Sequence, residues 1–341
     1  MKRQTNRHIT PILIAILILG LVLFALNLTI GSVSISWNDF SKAVFQGKNS
    51  TARSIIIDYR LPQAITALLA GIGLSVSGLQ MQTLFRNPLA DPSILGISSG
   101  ASLGVALVVL LGGSALASVS WWSTLGISVA AFVGAFLVLL LILSLSSRLH
   151  SMVSLILVGI MIAYIAGSVT DVLKFMGQKD EVHAFVVWGL GSFSSIGKSQ
   201  LPFLTVVVAI GTAAAILLSK TLNLLLLGER YAENLGVNIR RSSMFIILVS
   251  GLLTAVVTAF CGPIAFLGLA VPHIARFLFK TSDHRLLLPA TALIGMDLAL
   301  FCNLIARLPG FDGNLPINSV TALIGAPIVL AVIFKRQKSL K

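Results

Sequence analysis

The sequence predicts an all-α polytopic membrane protein with about ten transmembrane helices, on three observations. Of 341 residues, 56% are apolar and 10% charged, whereas an ordinary soluble domain carries about 25% charged residues. Mean hydropathy is +0.99. The apolar residues gather into ten runs, each near the roughly 20 residues that a bilayer core requires. Gaps between runs are under about thirty residues, short of the about 50 that the smallest domains need, so residues 1–341 form one transmembrane domain.

The first run, 9–30, follows MKRQTNRH and mimics a signal peptide. It is longer than an h-region and lacks an A-x-A-like exit, so it is a span. Runs follow at 61–84, 93–112, 119–145, 152–173 and 201–219, then at 243–260, 263–279, 286–306 and 317–334. Gly96, Gly100 and Gly104 form a small-residue stripe on the third run, which suits close helix approach. An even number of spans puts both termini on one side. With both inside, the cytoplasmic loops and tails hold two thirds of the 24 Lys and Arg, as the positive-inside rule demands. The basic excess is thereby an orientation signal, and nucleic-acid binding is set aside.

Two loops are long. Outside, Ser36-Trp37-Asn38-Asp39 opens like a capping box, with Trp37, Phe40 and Val44 at helical spacing, which predicts a short surface helix. Inside, residues 220–241 pass through Gly228 into a stretch where Tyr231, Ala232 and Leu235 share a face before Gly236 ends it. A faint echo relates Phe85–Ala90 to Phe260–Ala265, each preceded by Ser-Gly-Leu. The two spans run in opposite directions, as an inverted repeat around a membrane pathway does.

Catalytic chemistry is scarce. GSFSSIGKS at 191–199 resembles a phosphate-binding loop, but Ser192 stands where the pattern needs Gly and no strand precedes it. The chain is therefore expected to lack an ATPase site and to act as a transport subunit, not an enzyme. Asp171 and Asp297 are the acidic candidates within the spans, and Lys174 sits one turn from Asp171. His8, His150, His183, His273 and His284 show no i, i+4 spacing, so no metal site is expected. Cys261 and Cys302 lie in or beside apolar runs and read as buried hydrophobes.

Four segments taken together resemble the FecCD-type permease family, the membrane subunits of ABC importers for iron-siderophores, haem and cobalamin. The first runs from Arg60-Leu61-Pro62 through Gly71, Ser77-Gly78 and Gln82 to Asn87-Pro88-Leu89-Ala90-Asp91-Pro92, Leu95-Gly96 and Ser99-Gly100-Ala101. The second is Trp188–Phe193. The third is Gly228-Glu229 with Ala232 and Leu235-Gly236-Val237, and the fourth is Gly262–Leu269 with Pro272-His273 and Arg276.

The resemblance implies a type II ABC importer permease, multi-pass in the bacterial inner membrane and surrounded by lipid. Its partners are a second copy of the chain (a homodimer), two cytoplasmic ATPase subunits and an extracytoplasmic substrate-binding protein. It implies no cofactor in this chain, ATP and Mg being bound by the ATPases. Gly228, Glu229, Ala232, Leu235 and Gly236 match the ATPase-coupling loop, and Asn87, Pro88 and Leu89 match the cytoplasmic gate. Arg60 and Arg307 match arginines that hold acidic residues of the binding protein, with Arg53 standing in for a third. The usual R-L-P-R is R-L-P-Gln63 here, the Asp often found four residues before the late arginine is Asn303, and the acidic residue before Leu-Pro is Asn314. The alternative function, an ion-coupled secondary transporter, calls for buried ionisable residues along its path, and this chain offers few.

Overall fold

A computed structural model describes residues 2–31, 33, 35–36, 41, 51–117, 122–149, 151–308 and 314–338. Thirteen helices follow in order among them: α1 Lys2–Thr29, α2 Leu61–Leu84, α3 Ile97–Ala117, α4 Trp122–Ser146, α5 Met152–Met176, α6 Lys179–Gly189, α7 Leu201–Leu217, α8 Ser219–Leu227, α9 Glu229–Asn234, α10 Ile239–Cys261, α11 Leu267–Phe279, α12 His284–Ala306 and α13 Ile317–Lys338. A turn at Thr51–Ser54 and a π-wound segment Ile55–Arg60 lead directly into α2. No strand occurs among the described residues.

The ten apolar runs fall on ten stretches of helix. Six are long and apolar enough to cross a membrane alone: α1, α4, α5, α10, α12 and the continuous segment Thr51–Leu84 that contains α2. A seventh is the pair α7 and α8, bent by 48°. Shorter apolar helices occupy α3, α11 and α13. The surface helix expected around Trp37, Phe40 and Val44 lies outside the described residues.

Lipid supplies no hydrogen bonds, so the most polar spans must face protein. α2 carries Gln63, Thr66, Ser75, Ser77, Gln80, Gln82 and Thr83, all buried, and it stands at the centre with α12, α10, α11 and α7 around it. α1, beyond its polar first two turns, and α5 turn apolar side chains outward, among them Leu21, Val22, Ile165 and Phe175.

Helices in a bilayer are held by close van der Waals packing because lipid tails are as apolar as leucine. Small residues therefore mark the contacts. A methyl group on Gly78 would lie 1.9 Å from the Gly268 carbonyl oxygen, and one on Gly71 2.2 Å from that of Gly295. The predicted stripe is used in two directions: Gly100 and Gly104 meet Gly134 and Ala130 on α4, while Gly96 meets Gly159 on α5. α2 and α10 are antiparallel neighbours: Ser77 reaches the Ser250 carbonyl at 2.7 Å, while the earlier Gly73 faces the later Val257. These are the two spans that carry the echoed sequence, and each echoed stretch ends its helix.

Candidate functional site

α2 stops at Leu84 because Arg86 turns into the left-handed region at φ 48° and Pro88 has no N–H to continue a helix. The Asn87–Leu89 triplet is then shaped locally. Asn87 Oδ1 accepts from the Leu89 N–H at 3.0 Å, and the Ala90 N–H returns to the Asn87 carbonyl at 3.0 Å. Asp91 caps the following turn through the Ser93 N–H at 2.9 Å. Burial raises the Asp91 carboxyl above the usual carboxylate range, opposed by its hydrogen bonds with Ser93. Leu89 projects from this loop with 43% exposure.

Two neighbours hold this loop. From α11, the His273 ring Nε2 lies 2.8 Å from the Pro88 carbonyl. One turn later Arg276 Nη1 donates to Gln82 Oε1 at 2.6 Å, and Gln82 Nε2 donates to the Leu269 carbonyl at 3.2 Å. From the other side, Arg86 Nη2 donates to the Leu225 carbonyl of α8 at 3.2 Å. The first and fourth sequence motifs thus meet, and the first also reaches α8 just before the third. Trp188–Phe193 and Gly262–Leu269 join as well, with the Ser192 N–H donating to the Cys261 carbonyl at 2.7 Å and Gly262 packed on the Trp188 carbonyl.

The cytoplasmic loop forms a discrete knob. Gly228, at φ 122° and ψ 145°, turns the chain between α8 and α9 in a conformation open to glycine alone, and Gly236 at φ 85° closes α9. The face predicted from spacing divides: Ala232 is fully buried, while Tyr231 and Leu235 are 57% and 55% exposed. Glu229 is exposed at the start of α9. Ala232 is therefore the knob's foot, and Tyr231 with Leu235 is its free apolar surface.

At the opposite end, Arg60 and Arg307 differ from the exposed cations that their sequence position suggests. Arg60 is 2% exposed and Arg307 6% exposed. Arg60 Nη1 donates to the Leu28 and Thr29 carbonyls at 3.1 and 2.7 Å, and its Nη2 to Val33. Arg307 Nη1 reaches the Asn27 carbonyl at 3.3 Å. The last turn of a helix leaves carbonyls without partners, and these two guanidinium groups satisfy those of α1. Neither has a carboxylate partner among the described residues. Burial, and then the charge of Arg60, lower Arg307 to about 10. Both arginines line a cavity of about 420 Å³ together with Tyr59, Gln63, Gln200 and Asn314. Arg53 is half-buried on the turn before Ile55 and is not part of that lining.

Other candidates have ordinary placements. The Gly191–Ser199 loop is a packing turn against Cys261 and Pro263. Asp171 pairs with Lys174 at 2.6 Å. Asp297 is buried against Gly20 of α1, with Oδ1 unpartnered. Cys261 and Cys302 are buried free thiols. Sequence reasoning missed Asn223, Thr83 and His284, whose rings and amides meet only in the fold. A histidine at a helix start, beside an Asp cap, was the available signal.

A central polar helix in an apolar bundle, with a proline-broken loop at one end tied to the helix that leads into a projecting knob, has the form of a membrane permease subunit. The FecCD transport family matches residues 17–335, and this chain belongs to it. It is the permease subunit of an ATP-binding-cassette importer. The chain is 34% identical over 340 residues to the hemin transport system permease protein HmuU of Yersinia pestis, covering 98% of each. It is 31% identical over 335 residues to the molybdate import system permease protein MolB of Haemophilus influenzae, covering 96% of each. It is 32% identical over 345 residues to the vitamin B12 import system permease protein BtuC of Yersinia enterocolitica, covering 100% of this chain and 96% of that one. A solved structure of a metal-chelate type ABC transporter in an inward-facing conformation superposes with a TM-score of 0.84 at 31% identity, covering 96% of this chain and 99% of that one.

Proposed function

We propose that two copies of this chain form the path of a bacterial inner-membrane importer with both termini cytoplasmic, driven by two ATPase subunits and supplied by an extracytoplasmic binding protein. The observation that carries this reading is the knob at Gly228–Gly236. Its foot, Ala232, is fixed in the bundle, while Tyr231 and Leu235 offer an apolar surface with nothing of this chain upon it. An exposed apolar pair on a short rigid helix suits a socket in a partner protein. ATP and Mg are bound by that partner and not by this chain. Arg86, Arg148, Arg230, Arg240, Arg241, Lys280 and Arg285 gather at the knob's end of the bundle, which supports a cytoplasmic knob.

The cavity at the other end supports docking of the binding protein: two buried cations without a carboxylate partner favour an incoming acidic side chain. The cargo is an iron chelate, haem or cobalamin. Relatives named for haemin, molybdate and vitamin B12 lie at 31–34% identity, so overall similarity sets the class of transporter and not the molecule carried. Purification of the complex with its ATPase and binding protein, followed by mass spectrometry of the retained ligand, tests the reading. Co-purification of both partners with a chelate supports it; a chain that captures no ATPase, or hydrolyses ATP alone, overturns it.

A further inference from the structure

α8 leads through the turn at Gly228 into the knob, and its Asn223 side chain bears on the start of α12. Asn223 Oδ1 accepts from the His284 backbone N–H at 2.8 Å, and Asn223 Nδ2 donates to Asp283 Oδ1 at 2.6 Å. Those two bonds fix which way the amide faces, because a flipped amide would set N–H against N–H and oxygen against carboxylate. The same Oδ1 lies 2.8 Å from the His284 ring Nδ1, so Nδ1 carries a proton. The ring's other nitrogen, Nε2, lies 2.7 Å from Thr83 Oγ1. In a neutral ring Nε2 accepts, so Thr83 turns its single hydroxyl proton to that nitrogen and away from the Leu79 carbonyl, which lies 2.9 Å from Oγ1.

His284 is 1% exposed. Its imidazole is a flat rigid body with both nitrogens engaged, one on α8 and one on α2. Thr83 belongs to the last turn of α2, and Asn87 of the gate lies one helical turn beyond it. We propose that His284 is a positioning residue for transport, the middle of a Thr83–His284–Asn223 strut that carries movement of α8 to the end of α2 and so to the gate. This rests on the coupling reading of the knob above. Arg86, through the Leu225 carbonyl, is a second tie between the same two elements.

The strut makes a chemical demand that packing does not. Valine matches threonine in shape but lacks the hydroxyl, whereas serine keeps the hydroxyl and loses a methyl. A strut survives Thr83→Ser and fails with Thr83→Val; a space-filling role gives the reverse order. Leucine at position 284 fills space but has neither donor nor acceptor, so it bridges neither partner.

The test uses the full complex with its co-purified ATPase in liposomes. Ser93, exposed just beyond the gate, is replaced by Cys as a maleimide target, the two native cysteines being buried. The readout is the difference in maleimide reaction rate with and without MgATP. The parent and Thr83→Ser should keep this difference; Thr83→Val and His284→Leu should lose most of it while still retaining the ATPase. Asn223→Ala cuts the strut at its less buried end and should act likewise even if a variant at the buried end fails to assemble. An ATP response unchanged in Thr83→Val or in Asn223→Ala, or one weaker in Thr83→Ser than in Thr83→Val, overturns the strut. A parent complex that shows no ATP response, or holds no ATPase, overturns the coupling reading itself and the strut with it.

Discussion

Gln63 Nε2 donates to Asn303 Oδ1 at 3.1 Å, and both side chains are buried. These are two positions at which the chain departs from the pattern of the family it resembles, where arginine and aspartate are usual. The two departures are one contact: an amide pair stands where an ion pair would. Asn303 Nδ2 continues to Asn27 Oδ1 at 2.8 Å, and Asn27 Nδ2 to the Leu300 carbonyl at 3.0 Å, so the same network fastens α1 to α12.

The exchange should be readable by a double-mutant cycle. Gln63→Arg alone places an unpaired charge in a buried site and should cost about 3–5 kcal/mol. Adding Asn303→Asp should recover much of that loss, less whatever Asn27 forfeits when its donor at 303 disappears. Thermal unfolding of the purified chain in detergent measures each corner, and simple additivity of the two changes would show that the pair is not coupled.

Gly78 and Gly167 should respond to alanine with opposite sign. A methyl at Gly78 meets the Gly268 backbone at 1.9 Å, whereas nothing lies within 4 Å of one at Gly167. Overpacking at Gly78 should destabilise by about 1–3 kcal/mol. Gly167→Ala, within α5, should stabilise by about 0.5–1 kcal/mol from backbone entropy. Equal melting temperatures for the two variants would contradict the close approach of α2 and α11.

Leu235→Asp should leave the membrane domain folded, because this side chain is more than half exposed in the chain by itself. Against an ATPase socket, the same change removes on the order of 1.5–3 kcal/mol of apolar burial and adds an unpaired carboxylate. Loss of ATPase co-purification with unchanged detergent stability is the expected result. An ATPase bound as tightly as in the parent would mean that the knob is not its docking element.

Arg60 and Arg307 should separate fold from docking. Arg60 holds three carbonyls at the end of α1, so Arg60→Ala should lower thermal stability by about 1.5–3 kcal/mol for each charge-assisted bond whose acceptor stays buried. Arg307 holds one carbonyl, that of Asn27, so Arg307→Gln should chiefly weaken binding-protein docking and its salt dependence.

Some of the architecture was legible because lipid imposes one-dimensional rules. A span must be apolar for about 20 residues, loops must be polar, and basic residues collect on one side; each can be read along the chain. Hence all ten apolar runs fall on helices, and Gly96, Gly100 and Gly104 lie at helix contacts. Gly228 and Gly236 were legible for a similar reason, since a sharp break in a helical pattern needs φ above zero.

Burial and partnership depend on three dimensions. Nothing in the local sequence tells that Arg60 closes the end of α1 instead of facing water, that Tyr231 and Leu235 point away while Ala232 points in, or that Gln63 and Asn303 answer one another. His284, one of five scattered histidines in the sequence, has a tautomer fixed by Asn223 and a partner in Thr83. Class, spans and loop breaks can be read along the chain, because hydrophobicity and backbone conformation are properties of short segments. Which polar side chains meet cannot, because a hydrogen bond over about 3 Å between residues such as Thr83 and His284 is set by how the helices pack and by no property of either residue alone.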